Sequence, residues 1–213
     1  MYVCMLLIIT ILPITAIAGD ENDPEITDNL DDQFGAVVDH PYRMRTLIAK
    51  LLLQMNSFDF IDIDSAWFYE IDLEPDFLYA ALKLKDLTPN PQRAIYSIHF
   101  TTGVTAYSVG SHLCNNAQNA LGFIGLDKRF NRDWEETEAA FDFDTNIVTF
   151  KLDKQYIGNP QPGDVITKTF AWTALRFNYE LFSLLFSDGE LVKDAAPFKK
   201  NTDEYGRDYV ILY

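Results

Sequence analysis

The stretch "DFLYAALKLKDL", residues 76–87, decides the fold class. Leu78, Ala80, Leu82 and Leu84 fall on one face of an extended chain, and Tyr79, Ala81, Lys83 and Lys85 fall on the other. A period of two marks a strand that buries one side. The preceding "IDIDSAWFYEI", residues 61–71, is rich in β-formers, and "EPD" at 74–76 is a turn, so the pair reads as a hairpin. "RAIYSIHF" and "TAYSVGSH" flank "TTGV" at 101–104 as a second hairpin, and "EAAFDF" and "NIVTFKL" flank "DT" at 144–145 as a third. "CNNAQNALG", residues 114–122, reads as a loop. "IGNPQPGD", residues 157–164, is a turn with two glycines able to take positive φ and two prolines that stiffen it. "VITKTFAWTALRF", from residue 165, is one long strand or two with a bulge; residues 178–206 are less regular, and "RDYVILY" ends the chain as a strand.

Eight to nine strands with turns every eight to fifteen residues, and no βαβ rhythm, predict an all-β chain with minor helix, an antiparallel β-sandwich. A closed barrel is the alternative, because alternation does not separate the two. Lys83 and Lys85 suit an edge strand guarded against aggregation. One short N-terminal amphipathic helix is expected in "PYRMRTLIAKLLLQMN", residues 41–56, where Leu47, Ile48, Leu51, Leu52 and Met55 share a stripe.

The first residues read as a targeting segment. Tyr2 to Ala18 is apolar, and Ala16-Ile17-Ala18 fits the small-x-small cleavage rule with Gly19 as the first mature residue. There is no Lys or Arg ahead of the apolar run, and the run is near the lower limit for a span, so a retained anchor is the alternative. The expected organisation is a signal peptide or anchor at 1–18, an acidic tether and short helix at 19–57, and a β-sandwich domain at 58–213. The product is expected to be secreted or at the cell surface, touching a membrane only through an uncleaved N-terminal segment. Removal of Cys4 would leave Cys114 alone, without an intramolecular disulfide.

Composition narrows the partners. With 48% hydrophobic residues the chain is globular, and a net charge of −15 repels phosphate backbones, which argues against nucleic acid. Cations and uncharged ligands such as sugars are compatible with that surface. No G-x-S-x-G elbow, phosphate-binding loop, G-x-G-x-x-G, H-E-x-x-H or zinc-spaced cysteine pair is present. His99 and His112 lie on the two arms of one hairpin, with no third nitrogen or sulfur ligand nearby. Among 32 acidic residues, a pair at glycosidase separation carries little information, and no catalytic residue is assigned.

Two residue sets remain. Asp59, Asp62 and Asp64 interrupt an apolar run and could supply part of an oxygen-rich calcium site; on the plainer reading, Asp62 and Asp64 face water from the outside of a strand. Trp67, Tyr79, Tyr107 and Trp172 lie on predicted strands and are the candidates for stacking against sugar rings, as the apolar faces of aromatics beside amides and carboxylates do; a core role is the alternative.

The run "IDIDSAWFYEIDLEPDFLYAALKLKDL" resembles the leading strands of secreted β-sandwiches related to DOMON domains and family-9 carbohydrate-binding modules, through Asp62-Ile63, Trp67, and Leu78-Tyr79 to Asp86. "DKQYIGNPQPGDVITKTFAWT" and "YGRDYVILY" look similar to exported archaeal and bacterial proteins of that type. The resemblance implies a jelly-roll-like sandwich that binds sugar, haem or structural calcium. None of the methionines and histidines stands in the haem pattern, and Trp67 and Trp172 are the nearest counterparts of the sugar-binding tryptophans. The expected function is an exported non-catalytic binding or cell-surface module, with a carbohydrate or cell-envelope polymer as partner. The alternatives are a structural surface or filament protein assembling through edge strands, and a glycoside hydrolase using an acidic pair.

Overall fold

In a computed structural model, which describes residues 19–28, 30, 59–87, 94–113, 121–126, 134–176, 190–197 and 205–213, the alternation at 76–87 becomes a strand held between two neighbours. Among the described residues eleven strands form one sheet: β1 (Ile26–Thr27), β2 (Ile63–Tyr69), β3 (Phe77–Leu84), β4 (Ala94–Thr102), β5 (Thr105–Leu113), β6 (Leu121–Leu126), β7 (Trp134–Asp142), β8 (Ile147–Asp153), β9 (Val165–Arg176), β10 (Glu190–Ala196) and β11 (Tyr209–Val210). Two 3-10 turns, Asp59–Ile61 and Lys154–Ile157, accompany them. The leader at 1–18, the helix expected at 41–56 and Cys114 lie outside the described residues.

The strand order is β1-β2-β3-β8-β7-β6-β5-β4-β9-β10, with β11 also on β9, and every pairing is antiparallel. The all-β, antiparallel expectation therefore holds. The strands form one barrel-like sheet and not clearly two layers of eight to nine strands. The additions are β1, β6 and β10. Two residues are too few to show a period, β6 carries two glycines in "LGFIGL", and β10 is recognised only against β9, where Ala195 faces Trp172 and Ala196 faces Ala171. Nor is β3 an edge, since it pairs with β2 on one side and β8 on the other.

The two crossovers set this order. The chain runs from β3 to β4 and from β8 to β9 around a meander, β4 to β8, so that β3 lies beside β8 and β4 beside β9. The second crossover is the glycine- and proline-rich turn, where Gly158 at φ 87° and Gly163 at φ 93° take the left-handed conformation expected of them. Lys168, at φ 52°, marks the irregularity at which β9 loses register with β4, consistent with the bulge read from the sequence.

Inward-facing residues fill the interior. Phe68, Phe100, Phe150, Tyr96 and Tyr209 are fully buried among Leu78, Leu82, Val148 and Ile98. Phe68 meets Phe100 edge-on, with centroids 5.5 Å apart at 74°. Each such ring contributes about 2–3 kcal/mol through the area it removes from water. The Tyr96 hydroxyl, deep in that core, donates to Phe60 O at 3.0 Å, which removes the cost of an unsatisfied buried donor.

The seam is closed partly by side chains. β1 pairs only with Ser65 and Ala66 of β2. On either side, the Glu25 carboxylate accepts from Phe68 N at 2.9 Å and the Asp194 carboxylate accepts from Ile63 N at 2.7 Å. The C-terminal segment completes the join, with Gly206 N on Thr169 O at 2.8 Å and Arg207 N on Glu25 O at 2.7 Å. At one end of the barrel the Glu70 carboxylate, fully buried, accepts from Lys154 Nζ at 2.5 Å, Leu212 N at 2.6 Å and the Tyr209 hydroxyl at 3.1 Å. Lys154 also donates to Pro75 O at 2.7 Å and to Tyr213 O, tying the end of the chain to the β2–β3 turn.

Candidate functional site

The three aspartates are brought together with two lysines. Asp59 opens the 3-10 turn, which breaks the strand alternation expected there, so Phe60, Ile61 and Ile63 are all buried. Lys85 Nζ lies 3.1 Å from Asp59 and 3.8 Å from Asp62; Lys83 Nζ lies 3.8 Å from Asp64 and also contacts Glu21. Asp62 is fully buried and Asp64 partly exposed, so the two do not share a solvent face. Lys83 and Lys85 thus face carboxylates across a β2–β3 pairing and do not guard an edge. Among the described residues no group of three or more His, Cys, Asp or Glu stands where it could hold a metal ion. The hairpin register sets His99 opposite Ser108 and His112 opposite Ile95, four positions apart, so the two histidines are not cross-strand neighbours.

The four aromatic candidates do not form one platform. Tyr107 points inward and stacks on Phe100, centroids 5.9 Å apart. Trp67 alternates with the core residues Ala66 and Phe68, so it shares the outer face of β2 with Tyr69, but it is only 7% exposed. Trp172, half-buried, belongs to β9, opposite Ser97 of β4. Beside it, Phe170 stacks on His99 with centroids 4.4 Å apart and planes within 6°, and Ser97 Oγ lies 3.0 Å from His99 Nε2.

Tyr79, 9% exposed, belongs to a group apart from Tyr107 and Trp172, on the outer face of β2, β3, β8 and β7. The register aligns Tyr69 with Tyr79, Tyr79 with Lys151, and Lys151 with Glu138. Cross-strand neighbours on one face stand about 4.5–5.5 Å apart at Cβ, so this row runs aromatic, aromatic, cation, anion across four strands. Tyr69 and Tyr79 are stacked, centroids 5.0 Å apart at 15°. Lys151 Nζ sits 4.1 Å from the Phe77 ring centroid and 5.8 Å from that of Tyr79, a cation over two aromatic faces. Glu74, from the β2–β3 turn, takes Lys151 Nζ at 2.6 Å and the Tyr79 hydroxyl on the same oxygen.

The charges of the group are mutually supporting. Lys151 and then Tyr79 donate to Glu74 and hold its carboxyl below the usual range, while Glu74 holds the Lys151 ammonium above its own. Burial, then the Glu74 contact, pushes the Tyr79 phenol up, and burial does the same for Tyr69. At neutral pH the patch holds two neutral phenols, with the Tyr69 ring the more exposed and the Tyr79 ring backing it at 9% exposure, one ammonium and a carboxylate, the donor and acceptor set that suits a polyhydroxylated ring. Tyr69, Phe77, Glu74, Lys151 and Glu138 were not among the candidates read from the sequence. Tyr69, Phe77 and Glu74 belong to the β2–β3 hairpin, whereas Lys151, and Glu138 through it, join the group by the β3–β8 register between residues about seventy positions apart.

Comparison with protein-family models, with curated proteins and with solved structures finds no match for this chain.

Proposed function

We propose that this chain is an exported, non-catalytic binding module of the cell surface or its surroundings, with carbohydrate as its leading ligand, held on the outer face of β2, β3 and β8. The observation that carries the reading is the stacked Tyr69–Tyr79 pair continued by Lys151 and framed by Glu74. Rings offer apolar faces to sugar C–H groups, while the ammonium and carboxylate supply donors and acceptors to hydroxyls. Two features support a site outside the sheet. The inward side chains are large and close-packed, and the patch carries both signs of charge on a chain whose net charge is −15. The kinship with DOMON domains and family-9 carbohydrate-binding modules, and the jelly-roll division of the sheet, belong to the same proposal. Calcium at Asp59, Asp62 and Asp64 is not needed by it, since a dication there would have to displace Lys83 and Lys85. Assembly through edge strands is the weaker reading, because carboxylates and the C-terminal segment occupy the free edge of β2 and the unpaired stretch of β9.

The test is affinity electrophoresis of the exported protein in gels containing soluble glucan, xylan, mannan or chitosan. Retardation by at least one polymer is expected, with the affinity weakened about tenfold in Tyr69→Ala, the loss of one stacking contact, and kept in Trp172→Ala. Retardation by none of the polymers, or a Tyr69→Ala protein that binds as wild type does, would sink the reading.

A further inference from the structure

The seam contains a buried carboxylate with no cation at ion-pair distance among the described residues. Glu25 is 7% exposed, and its Oε2 accepts from Phe68 N. The groups that face it are Arg207 and Tyr209 from the C-terminal segment, Asp23 from the turn ahead of β1, and the backbone of β2. The Arg207 guanidinium is directed elsewhere, to Asp23 Oδ1 at 2.6 Å and to Pro24 O at 2.8 Å. Among the described residues no ammonium or guanidinium lies within ion-pair distance of Glu25. Burial pushes its carboxyl up to about 7, so near neutral pH it is only partly ionised.

One residue is packed directly on that carboxylate. Gly19 is buried, and a methyl group added at its Cα would stand 2.2 Å from Oε2, 2.3 Å from Oε1 and 2.6 Å from the carboxyl carbon of Glu25. A larger residue here would push the end of the Glu25 side chain aside. A local hook brings it there: Asp20 Oδ1 accepts from Asn22 N at 2.6 Å and Asp23 N at 3.0 Å, and the chain turns back into β1. Gly19 is also the residue that the Ala16-Ile17-Ala18 rule places first in the mature chain. Its backbone nitrogen is one covalent bond from the Cα that faces the carboxylate.

We infer that cleavage between Ala18 and Gly19 creates the missing cation: the new α-ammonium of Gly19 pairs with Glu25 inside the seam, so that processing completes the closure of the barrel. A signal peptidase of the host adds water across the Ala18–Gly19 bond. The C–N bond breaks, Ala18 leaves as a carboxylate and the amine of Gly19 takes up the proton. An α-amine is mostly protonated at neutral pH, and an opposite charge within a few ångströms favours the charged form of both partners. The inference rests on the export reading and adds what export does to the fold.

The experiment starts from the full chain made in an exporting host. Intact mass and N-terminal sequencing of the purified product establish whether Gly19 is its first residue. The native protein is then labelled with limiting acetic anhydride at neutral pH, and acetylation of the Gly19 amine is followed by peptide mass spectrometry in wild type and in Glu25→Gln. A pairing that raises the amine pKa by about one unit slows labelling about tenfold, and this protection is expected in wild type and lost in Glu25→Gln. Should Glu25→Gln not fold, Glu25→Asp, which retracts the carboxylate by one methylene, serves with the same expected loss. A mature chain starting elsewhere than Gly19 overturns both the processing site and the inference. A chain that starts at Gly19 and labels equally fast with and without Glu25 overturns the inference and leaves the export reading standing.

Discussion

Glu70 and Glu25 are both buried glutamates beside β2, and they are satisfied in opposite ways. Glu70 meets a buried ammonium, a phenol and two backbone N–H groups at the end of the barrel. Glu25 meets one backbone N–H from β2. The first is a complete ionic network that pins the C-terminus. The second is a carboxyl driven toward its neutral form, with its pKa near 7. A buried charge is tolerated only with partners, so Glu70 is read as structural and Glu25 as a position waiting for a counter-ion.

Removing the lysine is the largest way to break this contrast. Lys154→Met leaves the Glu70 charge buried and alone, which costs about 3–5 kcal/mol, and urea unfolding at neutral pH is expected to show a loss of that size. If Lys154→Met unfolds within 1 kcal/mol of wild type, by the same rule the pair is not the anchor of the C-terminus.

Glu25→Gln comes next and acts in the other direction. In the chain that keeps the Ala18–Gly19 bond, Glu25 titrates near 4.5 unfolded and near 7 folded. Its contribution to stability is therefore fully present below about pH 4.5 and is lost as the pH rises through about 7. Glutamine stands in for the neutral acid, so this variant is expected to gain up to about 3 kcal/mol over wild type at pH 8 and to match it in acid. In the processed chain the sign should reverse, because the substitution there removes the partner of the Gly19 ammonium. Thermal melts of the two forms between pH 4 and 9 would sharpen the comparison, and a pH-independent difference would end it.

The smallest effect belongs to Tyr209→Phe. It deletes one of several donors to Glu70 while keeping the ring that packs 5.9 Å from Phe68. A loss of about 1 kcal/mol is expected, read from the same urea curves. A much larger loss would mean that the Glu70 network depends on the phenol as much as on the ammonium.

Part of this architecture is legible in the chain. Three hairpins follow from alternation and turn residues, because each joins neighbours in sequence: β2–β3, β4–β5 and β7–β8. The turn at 157–164 is legible for the same local reason. The candidate site is not. Of its members only Tyr79 stood among the stacking candidates; Tyr69, Phe77 and Glu74 lie on the β2–β3 hairpin and its turn, and Lys151 and Glu138 come from β8 and β7. Aromatic content alone could not separate Tyr107, which packs inside, from Tyr79, which packs outside, since both alternate correctly on their own strands. The aspartates of residues 59–64 were misleading for a related reason. A short 3-10 turn shifts the faces by one position, and β3 supplies two lysines opposite them.

By itself, then, the sequence determined that this is an antiparallel β protein, where its local turns fall, and that its net charge at neutral pH is −15. These depend on side-chain period, backbone preference and charge, which are properties of neighbours along the chain. Only the tertiary structure decided that β3 lies between β2 and β8, that a two-residue strand and two carboxylates close the seam, and that Gly19 rests on Glu25. Those facts depend on register between segments far apart in sequence. Register is chosen by packing the whole interior at once, so no single stretch encodes it.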